Sequence, residues 1–204
     1  LSYDKERVEV VNSTEIITCN DAPMEAIRKK PDSSLIVACK VLKEDEDAKA
    51  FVSTGSTGAV LASGIFKVGR IDGVLRPALA PLIPTLTGGK VMLIDSGANV
   101  DCKKENLVQF ALMGSSYMQK VEKISKPRVA LISNGTEDKK GCELTKEVFK
   151  LLSENPNINF VGNMEARDMV SGKYDVLVAD GFDGNIALKA LEGGAKTVTT
   201  LLKQ

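Results

Sequence analysis

Short apolar runs alternate with longer segments of helical period along this chain, and that alternation narrows the fold more than any other feature. Residues 91–94, 129–132 and 176–179 are apolar throughout, as expected of strands buried on both faces. Residues 8–11, 51–52 and 158–161 read as further strands. Helical patterns fall at 22–30, 33–43, 57–66, 105–121, 142–153 and 185–202. In the long one, Leu107, Val108, Ala111, Leu112, Met118 and Val121 follow the 3.6-residue period. Pro31 ends the pattern at 22–30. Strands alternating with helices predict an α/β fold with a parallel or mixed sheet covered by helices. The stretch 77–84, followed by Gly88 and Gly89, reads as the one long irregular connection.

The 204 residues suit a single α/β domain. The chain begins with Leu1 rather than Met and ends on a helical pattern, so a fragment lacking both terminal segments is expected. No segment reaches the ~18 to 20 apolar residues that cross a bilayer. Lys+Arg and Asp+Glu are both 27, a balance that does not favour nucleic-acid binding.

There is no histidine. Ser-His-Asp and Cys-His catalysis, His-based zinc sites and zincin motifs are therefore excluded for this chain. Cys19, Cys39, Cys102 and Cys142 form no C-x-x-C and read as thiols of a reducing cytosol. Catalysis must rest on carboxylates, Lys, Arg, hydroxyls, amides and the backbone.

Four apolar strands run into small, polar, glycine-bearing loops: 53–58 (STGSTG), 95–101 (DSGANVD), 133–141 (SNGTEDKKG) and 180–185 (DGFDGN). A fifth, 162–168 (GNMEARD), carries a polar cluster. In open α/β sheets ligands bind where such loops converge, and N–H groups at helix starts attract anions. A small anion or phosphate-bearing ligand is therefore expected. Neither G-x-x-x-x-G-K-[ST] nor G-x-G-x-x-G is present, which argues against ordinary nucleotide binding. Arg70, Arg76, Lys140, Arg167 and Lys189 are the candidate cations. Asp95, Asp101 and Asp180 suit helix caps or turns, and with Glu137 could also hold a divalent cation. No metal is assigned.

At these loops the sequence resembles the bacterial phosphate acyltransferases of fatty acid and phospholipid synthesis. The likeness runs in order through FVSTGSTGA (51–59), GRIDGVLRPALAP (69–81), LIDSGANVD (93–101), MGSSYMQKV (113–121), SNGTEDKKG (133–141), NFVGNMEARD (159–168) and DGFDGNIALKALEG (180–193). Ser56 stands where the family usually has Asn, and Ser96 where it has an apolar residue. The family's glycine-rich opening and late His-Gly segment are absent.

The resemblance implies a three-layer α/β/α Rossmann-like sandwich with a mostly parallel sheet. It implies a cytoplasmic homodimer, peripheral on the inner face of the membrane, that needs no cofactor. The implied reaction moves a long acyl chain from acyl carrier protein to inorganic phosphate. The chemistry suits a chain without histidine: phosphate is an anionic nucleophile near neutral pH, and a thiol of pKa about 8.5 leaves readily as thiolate. Positioning and charge stabilisation then matter more than proton transfer.

On this basis Ser56, Thr57 and Gly58 are expected to cradle phosphate. Asn99, Asn134 and Asn185 would orient phosphate or the thioester oxygen, and Lys140 and Arg167 would balance charge. Asp101 and Asp180 would fix loops or the pantetheine arm, and Arg76, Asn163 and Gly184 would be further substrate contacts. Asn134, Lys140 and Asn185 are the expected catalytic residues. The rival readings are a coenzyme A-dependent or amino-acid-reductase-associated enzyme that forms acyl phosphates, and a non-catalytic anion-binding subunit.

Overall fold

A computed structural model describes residues 4–203. The chain clusters into two compact units that divide between Gly73 and Val74.

The first unit is helical. It contains α1 (Pro23–Lys29), α2 (Ser34–Glu44) and α3 (Thr57–Ser63), the last running into a π-helical turn at Gly64–Val68. Pro23 opens α1, where its fixed φ suits a helix and its missing N–H is not needed. Ile27, Ile36 and Ala62 form the small core. The strands expected at 8–11 and 51–52 are not formed; Val10 is 88% and Val52 95% exposed. Strand propensity without a partner strand stabilises nothing.

The second unit is a five-stranded sheet with helices on both faces. Its strands are β1 (Leu82–Pro84), β2 (Lys90–Ile94), β3 (Val129–Ser133), β4 (Phe160–Glu165) and β5 (Val176–Val178), in the spatial order β1-β2-β5-β3-β4. β1 is antiparallel to β2 and every other pairing is parallel. The helices are α4 (Lys104–Lys120), α5 (Glu143–Ser153) and α6 (Gly181–Leu202).

Period-two alternation in the three central strands builds the layers. Met92, Ile94, Val129, Leu131, Val176 and Val178 face α4 and α5, meeting Leu107, Phe110, Met118, Val148 and Leu152. Val91, Leu93, Ala130 and Leu177 face the other way, with Ala187, Leu188 and Leu191 of α6. Each such large apolar side chain contributes about 1.5–3 kcal/mol by burial. Gly114 lets α4 approach the sheet closely: a Cβ there would lie 2.6 Å from Val176 Cγ1.

Both edges depart from the sequence reading. β1 lies within the stretch read as irregular; Pro84 is tolerated because β1 is an edge strand. The strand expected at 158–161 is instead Phe160–Glu165, so most of the expected fifth loop is strand, followed by a 3-10 turn at Ala166–Asp168. As the opposite edge strand, β4 keeps polar and exposed positions that an interior strand would not.

The other end of the sheet is clamped by Arg128 and Asp175. Arg128 Nε and Nη2 each donate to the Asp175 carboxylate at 2.9 Å, and its backbone N–H donates at 2.7 Å. Burial alone would raise the Asp175 carboxyl, but the Arg128 donors hold it below the ordinary value of 3.8. Asp175→Asn is expected to remove about 2 kcal/mol of stability at neutral pH. A carboxyl held low stabilises above its unfolded pKa and loses that contribution as pH falls through its folded value. The deficit should therefore shrink on acidification below pH 3.8. Urea melts of both proteins at neutral and acid pH check this; equal stability at neutral pH contradicts it.

Candidate functional site

Strands β2, β5, β3 and β4 run in parallel, so the loops that follow them meet along one edge of the sheet. Asp95, directly after β2, is 0% exposed. Its Oδ1 accepts from the backbone N–H groups of Leu79 (3.0 Å), Gly97 (3.2 Å) and Ala98 (3.0 Å). Its Oδ2 accepts from the Asn99 N–H (2.7 Å) and the Asn99 Nδ2 (2.8 Å). Asn99 Nδ2 also donates to the Pro77 carbonyl at 2.8 Å, and the Asn99 carbonyl accepts from Gly181 N–H at 2.7 Å.

The start of α6 is thereby fastened to the β2–α4 loop. Asn185 Nδ2 adds a bond to the Ser96 carbonyl at 3.1 Å. Gly181 and Gly184 make the approach possible: a Cβ on Gly181 would lie 2.7 Å from the Asn99 carbonyl oxygen, and one on Gly184 would overlap the Asp95 carbonyl oxygen.

This fastening changes what the loops can do. Asp180 is the N-cap of α6, its Oδ1 accepting from Phe182 N–H (3.0 Å) and Asp183 N–H (2.8 Å). Gly184 N–H goes to the Asp180 carbonyl at 3.0 Å. The first-turn donors of α6 and the N–H groups of Gly97, Ala98 and Asn99 are thus taken up internally, by Asp95, Asp180 and the Asn99 carbonyl.

The β3–α5 loop is different. It borders a cavity of about 570 Å3 lined on one side by Ser133, Asn134, Cys142 and Thr145, and on the other by Asp183, Ile186, Ala187 and Ala190 of α6. Ile132 and Ala166 complete an apolar floor. Asn134 Oδ1 accepts from Gly141 N–H at 2.9 Å, which fixes the amide and turns its Nδ2 the other way. Lys140 runs along Gly135, where a Cβ would lie 2.8 Å from Lys140 Cγ. From β4, buried Asn163 braces this loop through Nδ2 to the Glu137 carbonyl at 2.9 Å.

Two titrating groups line the cavity. Cys142 is the N-cap of α5, and the Thr145 backbone N–H, helped by the Thr145 hydroxyl and Leu144 N–H, lowers its thiol pKa against the opposing effect of burial. Burial, with Asp180 nearby, raises the Asp183 carboxyl. The arrangement suits an amphiphilic ligand, with an apolar chain against α6 and polar atoms against the β3–α5 loop.

Of the residues expected from sequence, Asn134 lines this cavity. Asn99, Asn185, Asp180 and Gly184 tie the neighbouring loops together. Arg76 donates to the Asp101 carbonyl at 2.8 Å, Arg167 pairs with Glu165 at 2.6 Å and Lys189 with Glu192 at 2.7 Å. In the first unit, Ser56 caps α3, Thr57 begins it, and Gly58 faces α1, where a Cβ would lie 3.0 Å from Pro23 Cγ. Among the described residues no three His, Cys, Asp or Glu side chains group as a metal site.

Sequence reasoning missed Ser133, Cys142, Thr145 and Asp183. The 183, 186, 187, 190 spacing marks one helix face, but only if α6 starts at Gly181 rather than four residues later.

A family model described as fatty acid synthesis protein matches residues 2–204. The chain belongs to this fatty acid synthesis protein family. A phosphate acyltransferase of Oceanobacillus iheyensis is 50% identical over 200 residues, covering 98% of this chain and 60% of that protein. A phosphate acyltransferase of Bacillus subtilis is 48% identical over 203 residues, covering 100% of this chain and 61% of the relative. The chain thus spans about 60% of the length of these curated relatives.

Two solved structures share the α/β fold of this family member. A phosphotransacetylase from Streptococcus pyogenes superposes with TM-score 0.59 at 18% identity, over 85% of this chain and 58% of that one. A branched-chain phosphotransacylase from Enterococcus faecalis gives 0.52 at 17%, over 78% and 64%.

Cys142 is exposed with a lowered thiol pKa, whereas burial raises Cys39 and Cys102. Mass-resolved alkylation of the native protein near neutral pH should therefore modify Cys142 well before those two. Equal labelling of all three would contradict the cavity geometry described.

Proposed function

We propose that this chain carries the α/β part of a phosphate acyltransferase that moves a long acyl chain from acyl carrier protein to inorganic phosphate, giving an acyl phosphate for phospholipid synthesis. The observation that supports it most is the two-sided cavity beyond β3 and β5, apolar along α6 and polar along the β3–α5 loop, in a chain of this family. The names of the relatives point the same way.

Asn134 donates through Nδ2 to an oxygen of phosphate or thioester, since its Oδ1 is committed to Gly141 N–H. Lys140, exposed on the same loop, offsets phosphate charge. Asp95, Asn99 and Asn185 hold the adjoining loops in place. The acyl chain lies against Ile186, Ala187 and Ala190. No proton relay through imidazole is needed, because phosphate attacks as an anion and sulfur leaves as thiolate.

A homodimer acting at the inner face of the membrane is part of this reading. No helix among the described residues is long and apolar enough to cross a membrane. Exposed Val198, Leu201 and Leu202 on the last turns of α6 are consistent with a covering partner or lipid surface.

The test is release of free carrier-protein thiol by the complete protein, with and without phosphate, alongside a coenzyme A thioester. Release that needs both phosphate and the carrier-protein thioester is expected. Asn134→Ala and Lys140→Ala should each lower kcat/KM about 10- to 100-fold, the loss of one hydrogen bond to a charged group. Release that ignores phosphate, or wild-type rates in both variants, would refute the reading.

A further inference from the structure

Ser133 closes β3 and lines the cavity. Its Oγ is buried and makes no hydrogen bond among the described residues. Buried hydroxyls nearly always find a partner, because leaving water without one is unfavourable. The surroundings show why this one stays open. Thr145 donates its hydroxyl to the Cys142 carbonyl at 3.0 Å, and Asn134 turns its carbonyl oxygen to Gly141 N–H. Gly141, with φ 102°, packs its backbone against both hydroxyls: a Cβ there would overlap Thr145 Oγ1 and lie 3.2 Å from Ser133 Oγ.

The cavity floor next to Ser133 is Ile132 and Ala166, and Ile186 and Ala187 of α6 face it. A neutral hydroxyl in such a setting suits a carbonyl oxygen better than a free phosphate dianion, which calls for charge. The apolar walls seat the acyl chain to which that carbonyl belongs.

We propose that Ser133 is a further catalytic residue, donating a hydrogen bond to the acyl carbonyl oxygen as it takes up negative charge. This rests on the acyl-transfer reading above. A phosphate oxygen bonds to the carbonyl carbon, and the C=O pair moves onto oxygen, where the Ser133 hydroxyl meets it. The pair returns as the C–S bond breaks, and sulfur leaves as thiolate. The proton of the hydrogen phosphate ends on sulfur.

In the complete protein, Ser133→Ala is expected to lower kcat about 100-fold, as for loss of one oxyanion donor, with the phosphate KM changed less than about twofold. Its thermal midpoint should be unchanged or higher, because the substitution removes an unpaired polar group from the interior. Ser133→Thr, which keeps the hydroxyl, should recover part of the rate.

Two inert ligands provide a readout without turnover. A lauroyl phosphonate, which keeps the carbonyl, should bind Ser133→Ala about tenfold more weakly than wild type. Dodecyl phosphate, which lacks it, should bind both alike. Wild-type kcat in Ser133→Ala, a rate loss matched by a lower thermal midpoint, or a raised phosphate KM with kcat intact would each overturn the assignment. A wild-type protein that cleaves no thioester with phosphate refutes the acyl-transfer reading instead. The two titrations then still decide Ser133: no preference of wild type over Ser133→Ala for the phosphonate overturns it.

Discussion

A carboxylate shut away from solvent needs donors, and Asp95 finds five of them in its own loop and in Leu79. That cluster fixes the conformation of the β2–α4 loop. Through Asn99 and Gly181 it also fixes where α6 begins, and hence where Asp183, Ile186, Ala187 and Ala190 stand. The position of the cavity wall therefore depends on a residue that does not line it. Gly184 is part of the same constraint, since any side chain there would meet the Asp95 carbonyl.

The consequence for chemistry is a division of labour along the sheet edge. Loops after β2 and β5 use their N–H groups on Asp95, Asp180 and Asn99, so they form a rigid wall. The loop after β3 keeps open capacity at the cavity: the Asn134 amide and the Ser133 hydroxyl. Cys142 and Asp183, shifted in opposite directions by a helix start and by burial, face the same space. A histidine-free chain gathers donors and charge here without an imidazole.

The interior of the sheet was legible because β2, β3 and β5 are covered on both faces and must be apolar throughout. The edges were not, since edge strands tolerate Pro84 in β1 and Gly162 and Asn163 in β4, residues that read as breaks. At 8–11 a β-branched run misled, because no partner strand exists for it among the described residues. For the site, sequence marked the right loops but not the roles within them. An Asn that binds a ligand and an Asn that ties two loops look alike in sequence, and only Nδ2 of Asn99 bonded to Pro77 and Asp95 separates the two. Ser133 read only as the start of a polar loop and Cys142 only as an idle thiol, because strand-end and pre-helix positions become a cavity wall only once α6 is placed against them.

Residue-resolved amide hydrogen exchange tests the central claim most directly. With Asp95 as the fastening point, the amides of Gly97, Ala98, Asn99 and Gly181 should be protected in the wild type. In Asp95→Ala they should lose protection together, while β3 and α5 keep theirs. Fast exchange at these amides in the wild type, or protection that survives Asp95→Ala, would contradict the account.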